Sequence, residues 1–207
     1  MKKFYKRAWA EIHLDRLKYN YDICKSYLSG NTQFMAVVKA DAYGHGDSIV
    51  APYLQSLGVN WFAVSNISEA LHLRRSGITK EIFILGYVPP EDVSELIDNN
   101  IIEAITCFEH AKAMSDAITD GQKLRVHIKI DTGMGRIGLK HDTVSGYCDE
   151  IEKIISLENI VVEGIFTHFA VADSDNPEDI LYTDKQSSLI ININNELKNR
   201  GINLSQI

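Results

Sequence analysis

The chain has 207 residues, a formal net charge of −7 and 45% hydrophobic residues, the make-up of an ordinary globular protein with a sizeable core. That acidic balance argues against nucleic-acid binding, which usually needs a basic face, and no apolar run is long enough to span a bilayer. Three widely spaced cysteines (Cys24, Cys107, Cys148) without a CxxC, and seven histidines without an HExxH, argue against a disulfide framework and a metal site and fit the cytoplasm. The basic start, Met1 to Arg7, is followed by no apolar segment, so it does not read as a signal peptide.

The first amphipathic stretch begins at Leu14, with Leu17, Tyr21, Cys24 and Leu28 at helical spacing and Gly30 as its expected end. Strands are then expected at Phe34–Val38, Trp61–Val64, Ile82–Leu85, Ile102–Thr106, Leu124–Ile130 and Ile160–Phe166. Helices are expected near Asp47–Leu57, Ser68–Ser76, Glu91–Asn99, Glu109–Thr119, His141–Ser156 and Pro177–Arg200, the last opened by Asn176 as cap and Pro177 in its first turn. Ile202–Ile207 reads as a seventh strand beginning. Most of the strands are apolar runs rather than strict alternations, as in a parallel sheet buried on both faces. This α/β pattern predicts a (β/α)8 TIM-type barrel, incomplete, with about six to seven βα units in the chain; a doubly wound open sheet is the alternative.

In such a barrel, chemistry gathers past the C-terminal ends of the strands. There the sequence places Lys39 with Ala40-Asp41-Ala42-Tyr43-Gly44-His45-Gly46, then Ser65-Asn66, Gly86-Tyr87, the run Asp131-Thr132-Gly133-Met134-Gly135-Arg136-Ile137-Gly138, and Thr167-His168. A lysine following the buried run Met35–Val38 is either a side chain reaching for solvent or an amine whose desolvation leaves it neutral enough to form a Schiff base. The glycines behind it allow close approach of a ligand, and the Tyr43 hydroxyl can reach a phosphate oxygen or simply cover the loop. Gly133–Gly138 also fits G-x-G-x-x-G, but it follows the fifth strand, whereas a dinucleotide site needs the opening βαβ unit. Arg136 within it suits a substrate carboxylate, or is a surface arginine in a turn. Lys129 has Asp131 as a nearby partner, and His168 is either structural or part of the site.

Ala36-Val37-Val38-Lys39-Ala40-Asp41-Ala42-Tyr43-Gly44-His45-Gly46 resembles the cofactor-lysine motif of the alanine racemases. Lys129-Ile130-Asp131-Thr132-Gly133-Met134-Gly135-Arg136-Ile137-Gly138 is similar to the family's second signature and Glu163-Gly164-Ile165-Phe166-Thr167-His168-Phe169-Ala170 to its third, with Ala10-Glu11-Ile12 and Leu14 resembling its opening. The resemblance implies a fold-type III enzyme, an isomerase that interconverts L- and D-alanine for cell-wall peptidoglycan with pyridoxal 5'-phosphate as cofactor. It implies that Lys39 holds the cofactor and serves as one of two bases, that Tyr43 contacts the phosphate, and that His168 packs on the cofactor ring. It implies that Arg136 binds the substrate carboxylate and that Lys129 occupies the position some members carry as a carbamate. Serine racemases of the same family, of the vancomycin-resistance type, are not separated from alanine racemases by these motifs; a non-catalytic pyridoxal-phosphate-binding protein of the same fold, whose lysine motif differs, is the other alternative.

The family continues with the last barrel unit and a C-terminal β domain. Residues 1–207 are therefore expected to be the N-terminal barrel domain alone, poorly active in isolation. They would lack an Asn-Ser pair for the phosphate, the arginine facing the pyridine nitrogen, and the tyrosine base given by the other subunit of a homodimer.

Overall fold

The computed structural model describes residues 9–119 and 121–205. The chain forms two compact units, divided between Phe83 and Ile84.

The first unit opens with helix α1 (Leu14–Ser26) and strand β1 (Met35–Val37). There follow a left-handed turn, α2 (Lys39–Gly44), then α3 (Asp47–Ser56), β2 (Trp61–Val64), α4 (Ile67–Arg75) and β3 (Glu81–Ile84). Strands β1 and β2 pair in parallel, Ala36 opposite Phe62. Its core is Val50, Ala51 and Leu54 of α3, Phe62–Val64, Ala70 and Leu73 of α4, and Ile82, all at most 5% exposed. Helix α4 starts where it does because Asn66 accepts from the Glu69 N–H at 3.0 Å while the Glu69 carboxylate reaches back to the Ser65 N–H, a reciprocal cap. Helix α1 ends at Ser26, four residues before the expected Gly30. Of its apolar series only Tyr21 is buried, Cys24 and Leu28 are exposed, and with no core under its last turn the helix stops.

The second unit carries η1 (Pro90–Asp92), α5 (Val93–Asp98), β4 (Ile101–Ile105), α6 (Phe108–Ala117), β5 (Leu124–Lys129), α7 (Val144–Ile155), β6 (Ile160–Phe166) and α8 (Pro177–Asn199). Strands β4, β5 and β6 run parallel in chain order. Leu124, Val126 and Ile128 of β5 pack with Leu96, Met114, Ile151, Ile154, Ile193 and Leu197 in its core. The expected cap of α8 holds, Asn176 accepting from the Glu178 N–H at 3.0 Å with Pro177 next, while α7 starts three residues after the expected His141, behind Thr143, which accepts from the Gly146 N–H at 3.1 Å.

Strands β2 and β6 have their expected bounds, and the other four shift by one residue at one or both ends. The expected helix at Glu91–Asn99 is split into a 3-10 turn and a short helix. Residues 202–205 are not strand; Ser205 alone makes a ladder-like bond, donating its N–H to the Glu163 carbonyl at 3.0 Å, and residues 206–207 lie outside the described residues. Among the described residues no helix is long and apolar enough to cross a membrane, and the three thiols are free.

Glu103, in the middle of β4, is 0% exposed, and one oxygen accepts the Val88 N–H at 3.0 Å. Burial raises its pKa to about 9, the Val88 and Ala104 N–H groups opposing in part. The folded chain thus keeps this acid protonated where the unfolded chain has ionised it. Its contribution to stability is full below the ordinary carboxylate value near 4.5 and is lost as pH rises towards 9. Thermal melts of Glu103→Gln should therefore gain on wild type as pH goes from 5 to 8; parallel melting curves across that range would show Glu103 ionised in the fold.

Candidate active site

In the first unit everything turns on the residues after β1. The ladder runs one step further, Val38 N–H donating to the Ala63 carbonyl at 2.9 Å, and then Ala40, Asp41, Ala42 and Tyr43 take φ of 51 to 55°. Four consecutive non-glycine residues in the left-handed region cost roughly 1–2 kcal/mol each, and persist only where the surroundings determine them. Here the determinants are visible. Glu69 accepts from the Ala40 N–H (2.9 Å), the Ser65 N–H (2.8 Å) and the Ser65 hydroxyl (2.8 Å), so one carboxylate on α4 grips both the turn and the end of β2. Asp41 accepts from the Asp47 N–H at 2.8 Å, and the Gly46 N–H returns to the Asp41 carbonyl at 2.9 Å. Burial alone would raise the Glu69 pKa, but these N–H donors, the Ser65 hydroxyl and the charge of Lys39 together hold it below the ordinary carboxylate value.

The turn presents Lys39 and Tyr43 together: Nζ lies 6.0 Å from the ring centroid, and Tyr43 is 60% exposed. Among the described residues no acid lies in ion-pair contact with Lys39, and Glu69 acts on it through charge alone. A primary amine in contact with no carboxylate among the described residues, with a tyrosine on the same turn, fits an aldehyde-bearing phosphorylated cofactor.

In the second unit the loop after β5 is a glycine-rich cradle closed on itself. Asp131 accepts from the Gly133 N–H (3.1 Å) and the Gly135 N–H (2.9 Å). Burial would raise its pKa; those two N–H groups and the charges of Lys129 and Lys140 bring it below the ordinary value. No helix follows the glycines until Val144, which removes the dinucleotide reading of this motif. Arg136 is exposed in this loop and has no acid partner among the described residues, leaving its guanidinium fork for an external carboxylate.

Lys129 is 3% exposed at the end of β5, its Nζ donating to the Ile130 carbonyl at 3.0 Å. Burial lowers its pKa, Asp131 opposes, Arg136 adds to the lowering, and the result is about 8. The amine is therefore partly neutral near physiological pH. The nearby acid expected for it is Asp131, acting through its charge, while the bond it makes is to a carbonyl.

Thr167 and His168 follow β6 directly, and His168 is exposed. Gln186 of α8, 1% exposed, donates to the Thr132 hydroxyl (3.0 Å) and the His168 carbonyl (3.2 Å) and accepts from the Ala170 N–H (2.9 Å). Tyr182 donates to the Gly133 carbonyl at 2.6 Å. Lys39 and Tyr43 thus meet in the first unit, and Lys129, Arg136 and His168 share one loop system in the second. Glu69, Tyr182 and Gln186 were not singled out from sequence. Only Glu69 left a signal, the Asn66-x-x-Glu69 cap.

The profile described as "Alanine racemase, N-terminal domain" matches residues 12–207. An alanine racemase of Clostridium tetani is 41% identical over 205 residues, covering 99% of this chain and 51% of that protein. The alanine racemase structure from Clostridium difficile 630 superposes with a TM-score of 0.90 at 37% identity, covering 99% of this chain and 55% of that one. A histidine racemase from Leuconostoc mesenteroides superposes at 0.80 with 27% identity, over 91% and 49%. The chain spans about half the length of the curated relatives it matches. These likenesses give the fold class: α/β, an incomplete TIM-type barrel.

Proposed function

Because this chain belongs to the alanine racemase family through its N-terminal domain, we propose that it carries the lysine-bearing site of a pyridoxal-phosphate-dependent alanine racemase. The observation that carries this reading is Lys39, in ion-pair contact with no acid among the described residues, on a strained left-handed turn that Glu69 of α4 holds. Alanine racemases use pyridoxal 5'-phosphate. When bound, that group supplies an electron sink for the pair released as the substrate's Cα–H breaks.

The residues of this chain supply the rest. Lys39 Nζ would hold the cofactor's aldehyde carbon and take or return a proton on one face of the substrate Cα. Tyr43 would hydrogen-bond the phosphate, and His168 would lie along the cofactor ring. The Arg136 fork would bind the substrate carboxylate in a bidentate pair and so fix which bond of Cα faces Lys39. Lys129, partly neutral, is able to attack carbon dioxide, its nitrogen forming the carbamate bond and releasing a proton; the resulting anion would hold Arg136 in place. Inverting a stereocentre needs a second base on the opposite face, given in this reading by a tyrosine of the other subunit of a homodimer. The three free thiols fit a cytoplasmic enzyme. A histidine racemase among the similar structures supports racemisation of an amino acid as the shared chemistry.

Borohydride reduction of the chain mixed with pyridoxal phosphate, followed by peptide mapping, tests this. The pyridoxyl group is expected on Lys39; its stable attachment to another lysine instead overturns the assignment.

A further inference from the structure

Three side chains outside the proposed catalytic set form a wire whose direction can be read. Gln186 is fixed first: the Ala170 N–H must be a donor, so the atom it meets at 2.9 Å is Oε1, and Nε2 faces Thr132. Nε2 donates to Thr132 Oγ1 at 3.0 Å. Thr167 spends its one hydroxyl proton on the Ile130 carbonyl at 2.9 Å. In the 2.7 Å contact between the two threonines the donor must therefore be Thr132. The bonds run one way, from Gln186 to Thr132 to Thr167 to Ile130. The Ile130 carbonyl has two lone pairs: one takes the Thr167 proton, and the other takes Lys129 Nζ at 3.0 Å.

The geometry points to Gln186, Thr132 and Thr167 as positioning residues for Lys129: through one shared carbonyl, helix α8 sets where the buried amine sits and how strongly it is held. Each donor in such a chain polarises the next, so the Thr167 hydroxyl draws on the carbonyl more strongly while Gln186 and Thr132 stand behind it. The same glutamine bonds the His168 carbonyl and the Ala170 N–H, so it ties the loop after β6 to the loop after β5. The remaining charges acting on Lys129 are Asp131 and Arg136, both from the β5 loop itself. The chain of bonds stands on its own geometry; what Lys129 is for rests on the racemase reading. The test therefore uses neither cofactor nor turnover.

The readout is the titration midpoint of the Lys129 amine, followed by carbon NMR of ε-labelled lysine and assigned with Lys129→Arg. Thr167→Val removes the competing donor and gives the carbonyl to Lys129 alone, which favours the charged amine. The midpoint should rise by about half a pH unit, about threefold in proton affinity. Thr167→Ser keeps the hydroxyl and should restore the wild-type midpoint. Gln186→Met, which keeps the volume, should give a smaller rise in wild type and none in the Thr167→Val background, because it acts through that hydroxyl. If Thr167→Val fails to fold, Thr132→Val cuts the same chain one link earlier and should also raise the midpoint. An unmoved midpoint in the folded threonine variants, or a Gln186→Met effect undiminished without the Thr167 hydroxyl, overturns the proposal.

Discussion

Lys39→Ala should abolish the absorbance band that pyridoxal phosphate gives on joining the protein and, on the racemase reading, lower by about 10³-fold or more the racemisation of a longer chain that carries the remaining barrel unit and β domain, the scale of losing a positioned base together with its covalent role. Lys39→Arg should be as inactive, because a guanidinium keeps the charge but does not condense with an aldehyde. Both should fold as wild type does. The Lys39 side chain makes no hydrogen bond or ion pair among the described residues; the turn is held by Glu69, Asp41 and the backbone around them. Their thermal midpoints should stay within the small range of surface substitutions. A retained band in folded Lys39→Ala would move the cofactor to another amine and remove the reason for the turn.

Glu69→Ala separates the turn from its amine. It leaves Lys39 in place and takes the acceptor away from the Ala40 N–H and from Ser65. The left-handed residues then lose what offsets their strain, so the lysine should remain reactive but poorly aimed. Adduct formation should persist with a slower rate, measured by the growth of the same band. Equal rates in Glu69→Ala and wild type would mean that the turn is fixed from elsewhere.

That contrast shows what the sequence makes legible. Strands β2 and β4 are readable because burial on both faces makes them largely apolar runs, and the start of α8 because capping needs particular side chains at particular spacings, whereas α7 starts at Val144 behind a Thr143 cap, three residues after the expected His141. Lys39 and Arg136 are readable because each follows a strand in a glycine-bearing run. The left-handed turn is not. Ala40-Asp41-Ala42-Tyr43 contains no glycine, and its conformation is imposed from α4, far along the chain. Gln186 is illegible for a related reason. One polar residue on a long helix gives no sign that its amide will be wholly buried against two loops, because only the assembled unit supplies its three partners. Gly30 misleads in the opposite direction, since helix α1 runs out of core before it reaches its glycine.

The glycines of the β5 loop are alike in sequence and unlike in what they tolerate, and the difference should appear as a large loss of stability at one of them. Gly138 has φ +122°, and a Cβ there would lie 2.9 Å from the Asp131 nitrogen, the Lys129 carbonyl oxygen and Lys129 Cγ. Two of those three atoms are backbone, tied by the Asp131 N–H to Leu139 carbonyl and Leu139 N–H to Lys129 carbonyl bonds at 2.9 Å, so nothing there can rotate away. Strain at a glycine-only φ and forced overpacking each cost roughly 1–3 kcal/mol, so Gly138→Ala should lose about 3–5 kcal/mol. For a chain of this size that lowers the thermal midpoint by roughly 10 °C. Gly135, with φ +72° and open space around it, pays only the left-handed penalty, and Gly135→Ala should lose about 1 kcal/mol. At Gly133 the obstacle is the Tyr182 hydroxyl at 2.6 Å, the far end of a side chain, so Gly133→Ala should fall between the two, losing the Tyr182 bond as the ring swings out. Calorimetric melts of the three variants test the ordering Gly138, Gly133, Gly135. Equal losses would mean that the loop is free to shift, and a loop free to shift could not hold Lys129 and Arg136 where the racemase reading needs them.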